Sequence, residues 1–132
     1  MTGEKQTGVT LIELLVAMAI VAILTAIAYP SYQRYVARTH RNAAAACLSQ
    51  YAQFMERYYT TRLTYVGAAP DLGCSRESNM DRHYGFALAA AQARTFRVTA
   101  TPRGAQVTLD AQCGTLGLDQ AGARTAGANG CW

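Results

Sequence analysis

At 132 residues the chain has room for one modest domain, and with 51% hydrophobic and 15% charged residues it is neither disordered nor collagen-like. Eleven Arg and one Lys against eight acids leave a formal charge of +4. That permits attraction to an anionic partner such as DNA, but is too small and dispersed to demand one. Four cysteines without a C-x-x-C spacing, and two histidines remote from a second ligand, exclude the usual zinc patterns, so no metal is expected.

The first element in chain order is "GVTLIELLVAMAIVAILTAIAYP", residues 8 to 30. As a helix, Val9 to Tyr29 would be about 31 Å long, which matches a bilayer core. The flanks do not fit an ordinary secretory signal. "MTGEKQTG" sets Glu4 beside Lys5 instead of a basic cluster, and no small-x-small site with a break in composition follows the apolar run. Glu13 stands out, because a carboxylate near hydrocarbon costs about 2.5 to 3.5 kcal/mol while each Leu, Ile or Val contributes only about 0.3 to 0.6. One reading has Glu13 at the edge of the span, reaching out to water. The other has the chain cut after Gly8, which creates an ammonium on Val9 within reach of a carboxylate that also complements the helix dipole. Arg34, Arg38 and Arg41 follow the span, against the positive-inside trend for an outward C-terminus.

The motif G-V-T-L-I-E before an unbroken apolar run, with Pro30 after it, closely resembles the class III leader and first helix of type IV pilins. Val9 stands where that family usually has phenylalanine, and Ala22 where many major pilins have a glycine. The resemblance implies a leader over residues 1–8, a transmembrane or filament-core helix over 9–33, and a globular head over 34–132. It implies cleavage between Gly8 and Val9 by a prepilin peptidase, N-methylation of Val9, and pairing of Glu13 with the Val9 amine of a neighbouring subunit. It further implies other major and minor pilins, the inner-membrane assembly platform and inner-membrane lipid as partners. The head would be periplasmic before assembly and part of a cell-surface pilus afterwards. Pro30 removes the hydrogen bond to the Ala26 carbonyl and is the expected place for the helix to bend or loosen.

Beyond Pro30, "NAAAAC" and the lack of Gly and Pro from Ser31 to Val66 predict that helix continues to about Thr61. Its expected apolar face carries Tyr32, Val36, Ala43, Cys47, Tyr51, Phe54 and Tyr58. Tyr51, Tyr58 and Tyr59 at helical spacing read as packing under a sheet before they read as a base-stacking platform. Arg34, Arg38 and Arg41 form a basic stripe, read as a solvated face or as bridges to neighbouring subunits ahead of a phosphate contact. Residues 62–82 are a turn-rich connection, rich in Gly, Pro, Asp, Ser and Asn. "HYGFALAA", "TFRVTAT", "AQVTLD" and "GTLGLD" then read as short strands, so residues 83–132 should form a three- or four-stranded antiparallel sheet and a closing loop. The fold class is α+β, with a long N-terminal helix packed on that sheet.

Widely spaced cysteines after a membrane segment suggest two disulfides in an oxidising compartment, with four reduced buried thiols as the alternative. Of three connectivities, Cys47 with Cys74 and Cys113 with Cys131 are the pairs nearest in sequence. The end, "CGTLGLDQ" and a terminal "CW", resembles the minor pilins named PilE and their relatives among competence pilins. No catalytic residue and no cofactor is expected, since nucleophile, P-loop and dinucleotide motifs are missing. Asp110 and Asp119 read as strand-end turn acids rather than calcium ligands, and His83, opening a strand, as structural. A minor pilin that helps prime or join pilus assembly for twitching motility and adhesion is the leading expectation. A DNA-binding competence pilin and a type II secretion pseudopilin are the alternatives.

Overall fold

The structure, a computed structural model, describes Gly3 and residues 7–132. Met1, Thr2, Gln6 and the Glu4 and Lys5 charges of the expected leader lie outside the described residues. The chain separates into two compact units, Met1–Gln33 and Arg34–Trp132.

One helix, α1 (Leu11–Arg62), contributes to both units. It starts at Leu11 because Thr10 caps it. Thr10 Oγ1 accepts the Glu13 N–H at 3.2 Å, and the Thr10 carbonyl accepts the Leu14 N–H at 3.1 Å. Leu63 closes the other end in the left-handed region at φ 55°, where its N–H donates to Tyr59 O at 2.7 Å. In the first unit every residue from Leu11 to Tyr32 is exposed.

In the second unit α1 buries Ala37, Arg41, Ala44, Cys47, Leu48, Tyr51 and Met55, at steps of three and four residues. This face corrects the expected stripe, with which it shares only Cys47 and Tyr51. Tyr32 and Ala43 are exposed, and Phe54 and Tyr58 are half-buried at the margin. The offset has a physical cause. Small Ala37 and Ala44 admit close approach of neighbouring chain, and Arg41 lies on the buried face because a carboxylate meets it there.

The sheet is a meander of β1 (Tyr84–Ala91), β2 (Phe96–Pro102), β3 (Leu116–Asp119) and β4 (Arg124–Thr125), antiparallel throughout and in chain order. Along β2, Phe96, Val98 and Ala100 are buried while Arg97 and Thr101 are exposed, the alternation expected of a sheet with one wet face. On β3, Leu116 and Leu118 join this core. A Cβ on Gly117 would collide with Thr125 Oγ1, so the missing side chain is what lets β4 pair there. Two 3-10 turns (Gly73–Ser75, Glu77–Asn79) and α2 (Met80–His83) occupy the turn-rich connection. His83 therefore ends a helical turn, and the strand opens at Tyr84.

"AQVTLD" is the main correction, since residues read as a strand form α3 (Gln106–Leu109). A helical turn puts Gln106 and Asp110, four residues apart, on one side, where both meet α1. Asp110 Oδ1 pairs with Arg41 Nη1, each residue 6% exposed. Gln106 Nε2 donates to Ala37 O at 2.8 Å, to the Tyr84 hydroxyl at 3.1 Å and to Asp110 Oδ2 at 3.4 Å. An extended "AQVTLD" would keep both residues on one face but set them about 13 Å apart, too far for Gln106 to reach the Asp110 carboxylate where it meets Arg41.

Cys47 is joined to Cys74 and Cys113 to Cys131, with Cα atoms 5.6 and 5.5 Å apart. Loops of this length are stabilised by about 3 kcal/mol each in the chain-entropy account. The first bond ties the connection to α1, and the second holds the last residues against the turn before β3.

His40 of α1 stacks on His83 with ring centroids 3.7 Å apart and planes 16° apart. Burial first, and the neighbouring His83 second, hold the His40 imidazole below its ordinary 6.5.

Removing Asp110 leaves Arg41 buried and unpaired. Asp110→Ala should lower the unfolding free energy of the head by about 3 to 5 kcal/mol, while Arg41→Met with Asp110→Leu should recover most of it, as chemical denaturation will measure. The folded state accepts a proton on His40 less readily than the unfolded chain does, so stability present above pH 6.5 is lost as pH falls. The melting temperature should drop as pH falls below 6.5, and His40→Phe should flatten that drop.

Candidate functional site

The sequence-derived site residues near the N-terminus fall on the first unit. Nothing lies within 4 Å of where a Cβ on Gly8 would sit, and Val9 is 70% exposed, so the chain around the Gly8–Val9 bond is uncovered. Glu13 occupies the first turn of α1, exposed and at the positive end of the helix dipole. Thr10 was missed by the sequence reading, although a recognisable signal existed. T-L-I-E has the S/T-x-x-E spacing of a capping box, and the half of that motif seen here is the Glu13 N–H donated to Thr10 Oγ1. Glu13 is therefore a helix-start residue as well as the lone charge of the segment.

After Glu13 the exposed residues are apolar at consecutive positions, hence on every side of the helix. A helix apolar all round needs lipid or other apolar surface about it, and the segment is long and apolar enough to cross a membrane. Pro30 lies inside α1.

In the second unit the basic stripe divides. Arg41 is buried against Asp110, a correction to its reading as a solvated residue, whereas Arg34 and Arg38 are exposed. Asp110 is likewise a buried partner and no turn acid. Asp119 does act as a turn acid, accepting the Ala121 and Ala123 N–H groups at 2.9 Å each. A cavity of about 510 Å³ is lined by Arg34, Arg38, Arg41, Thr108, Asp110 and Gln112 among others. A neighbouring one of about 460 Å³ shares Arg38, Arg41 and Gln112 with it and adds Asn42, Asn129 and Trp132. Trp132 donates its ring N–H to Thr125 O at 2.9 Å, and the Arg124 guanidinium lies 5.3 Å from its ring centre.

The tyrosines are used in packing. Tyr51 stacks on Phe86 at 5.8 Å, Tyr59 stacks on Tyr65 at 4.7 Å, and Tyr58 donates its hydroxyl to Val66 O at 3.1 Å. Tyr65 is itself edge-on to Phe96 and donates to Glu56 Oε1 at 2.9 Å. Burial, reinforced by Glu56, pushes the Tyr65 phenol up to about 12, far from any acid–base role at neutral pH. Among the described residues no group of three His, Cys, Asp or Glu side chains converges as a metal site.

Comparison with known proteins agrees with this geometry. Residues 30–117 match a family model described as "Type IV minor pilin ComP, DNA uptake sequence receptor", and residues 4–29 match one described as "Prokaryotic N-terminal methylation motif". The fimbrial protein EcpC of Eikenella corrodens is 30% identical over 89% of this chain and 76% of its own length. A fimbrial protein of Neisseria meningitidis is 34% identical over 60% of this chain and 46% of its own length. The Myxococcus xanthus major pilin PilA is 30% identical over 67% of this chain and 40% of its own length. In fold, the crystal structure of the Neisseria meningitidis non-core minor pilin PilV superposes with a TM-score of 0.53, covering 72% of this chain and 91% of that one at 21% identity. The exposed apolar helix with its capped glutamate, the helix-on-meander head and the matched family models together show that this chain belongs to the type IV pilin family, as a structural protein and not an enzyme.

Proposed function

We propose that the chain is a minor pilin that joins and helps prime a type IV pilus, serving twitching motility and adhesion. The observation that carries this reading is the exposed, all-round apolar segment whose one acid after Gly8 is Glu13. As a helix-start residue alone that acid costs a permanent anchor about 2.5 to 3.5 kcal/mol near hydrocarbon and returns only about 0.3 to 1 through the helix dipole, so an anchor has little use for it. A subunit that must leave the bilayer for a filament does have one.

In this reading a prepilin peptidase cuts between Gly8 and Val9 and methylates the new Val9 amine. The methylated amine keeps its proton and its charge. Thr10 continues to cap the helix, so the first turn and Glu13 stay ordered after the cut. Glu13 then meets the Val9 ammonium of a neighbouring subunit, a charge pair that gains strength as water and headgroups are replaced by apolar neighbours. Pro30, whose nitrogen cannot donate to Ala26 O, lets α1 loosen as subunits pack. Before assembly the head is periplasmic, and the assembly platform of the inner membrane draws the subunit into the pilus.

A second reading, capture of DNA, is favoured by the description of the matched family model and by the charge of the head. Outside the two ion pairs seen among the described residues, nine exposed arginines of the second unit stand against four acids. Phosphate neutralisation by such residues is sequence-independent and steeply salt-dependent.

Glu13→Ala should leave the amount of membrane-held protein unchanged or raised and should sharply deplete the chain from sheared surface filaments, quantified by mass spectrometry together with the Val9 terminus and its methylation. Normal incorporation would contradict the Glu13 pairing. For the second reading, fluorescence anisotropy of the full chain in neutral detergent should show duplex DNA binding that falls with salt at a log–log slope of about −3, and no binding at low salt would remove it.

A further inference from the structure

The two adjoining cavities beside Arg38 and Arg41 are walled by α1 on one side and by α3, the turn after it and the last residues on the other. Their charge is uneven. Three arginines line them, and among the described residues the only acidic side chain there is Asp110, already engaged by Arg41 Nη1 and Gln106 Nε2. Arg41 is held in place by that pair, yet its Nε is enclosed without an acceptor. Arg34 and Arg38 have no ion-pair partner among the described residues, and the remaining polar side chains of the lining are neutral amides, a hydroxyl and the Trp132 indole. Guanidinium groups around a cavity of about 510 Å³ suit a compact anion with several acceptor oxygens.

We propose that this cleft binds the phosphodiester headgroup of an anionic phospholipid. The choice of lipid as the source rests on the membrane reading above and on the chain itself. Arg34 comes seven residues after Ile27, so chain that leaves the hydrocarbon there enters the headgroup layer with Arg34 and Arg38. These arginines also stand on the side of the span where the positive-inside trend disfavours them. A headgroup phosphate gives that misplaced charge a partner. The cleft would hold the head at the membrane surface until Glu13 finds its neighbour, and release it as the subunit is extracted.

The test is native mass spectrometry of the full chain in neutral detergent, offered phosphatidylglycerol or phosphatidylethanolamine. Phosphatidylglycerol should be retained selectively, and Arg34→Gln with Arg38→Gln should cut retention about 30-fold while the melting temperature stays unchanged. Arg57→Gln with Arg94→Gln, removing the same charge outside the cleft, should retain the lipid. Equal retention of the two lipids, retention by the Arg34 and Arg38 variant, or equal loss in the Arg57 and Arg94 variant overturns the site. Displacement by millimolar inorganic phosphate would overturn lipid as the source, and displacement by a short DNA duplex would hand the cleft to the DNA reading. Membrane fractionation of the same chain separates the two levels. A soluble chain overturns the membrane reading and this site with it, whereas a membrane-held chain with equal retention of both lipids overturns the site alone.

Discussion

A charged residue on the buried face of a helix must be answered, and in the head the answer is Asp110. Arg41 sits among Ala37, Ala44 and Leu48 on the stripe of α1 that packs inward. Its desolvation would be prohibitive without a carboxylate in contact and hydrogen bonds around that carboxylate. Asp110 provides the first and Gln106 helps provide the second, and the two can act together only from a helical turn. The pair thus dictates α3, and α3 in turn determines how the chain passes from β2 to β3. Gln106 extends the network to Ala37 O and the Tyr84 hydroxyl, so α1, α3 and β1 are referenced to one another through polar contacts that tolerate little displacement.

The two units meet the hydrophobic effect in opposite ways. The head closes a core of Leu48, Tyr51, Met55, Phe96, Val98 and Leu116, and two disulfides reinforce a domain too small for a generous core. Residues 11–32 bury nothing and expose apolar side chains all round. Such surface is tolerable only in lipid or among other apolar helices. The proposed function uses this division, since a subunit that leaves a bilayer for a filament needs one part stable alone and another able to change its surroundings.

Legibility in the sequence followed the same division. The long helix, the β2 alternation of Phe96, Val98 and Ala100, and β3 within "GTLGLD" could be read directly, since propensity and burial agree there. "AQVTLD" could not. Its β-type residues are overruled by a contact with Arg41, 69 residues away. β4 is a two-residue strand in a small-residue loop, made possible by the bare Gly117, and no local pattern announces it. The apolar face of α1 was misjudged because a search for apolar residues passes over a buried arginine. Thr10 was legible as the first position of T-x-x-E, a capping signal that the charge of Glu13 in an apolar run overshadows.

By itself, the sequence determined the α+β class, the extent of α1, the apolar segment with its single acid and the family signature around Gly8 and Val9. These depend on composition, periodicity and short motifs, which act over a few residues. Only the tertiary structure decided that Arg41 is buried, that Asp110 is its partner and no turn acid, that "AQVTLD" is helical, and that Arg34 and Arg38 line a cleft without an ion-pair partner among the described residues. The physical reason is range. A buried charge left without its partner costs about 3 to 5 kcal/mol, which outweighs a local preference for extended chain, and which charges leave water together depends on chain segments far apart in sequence.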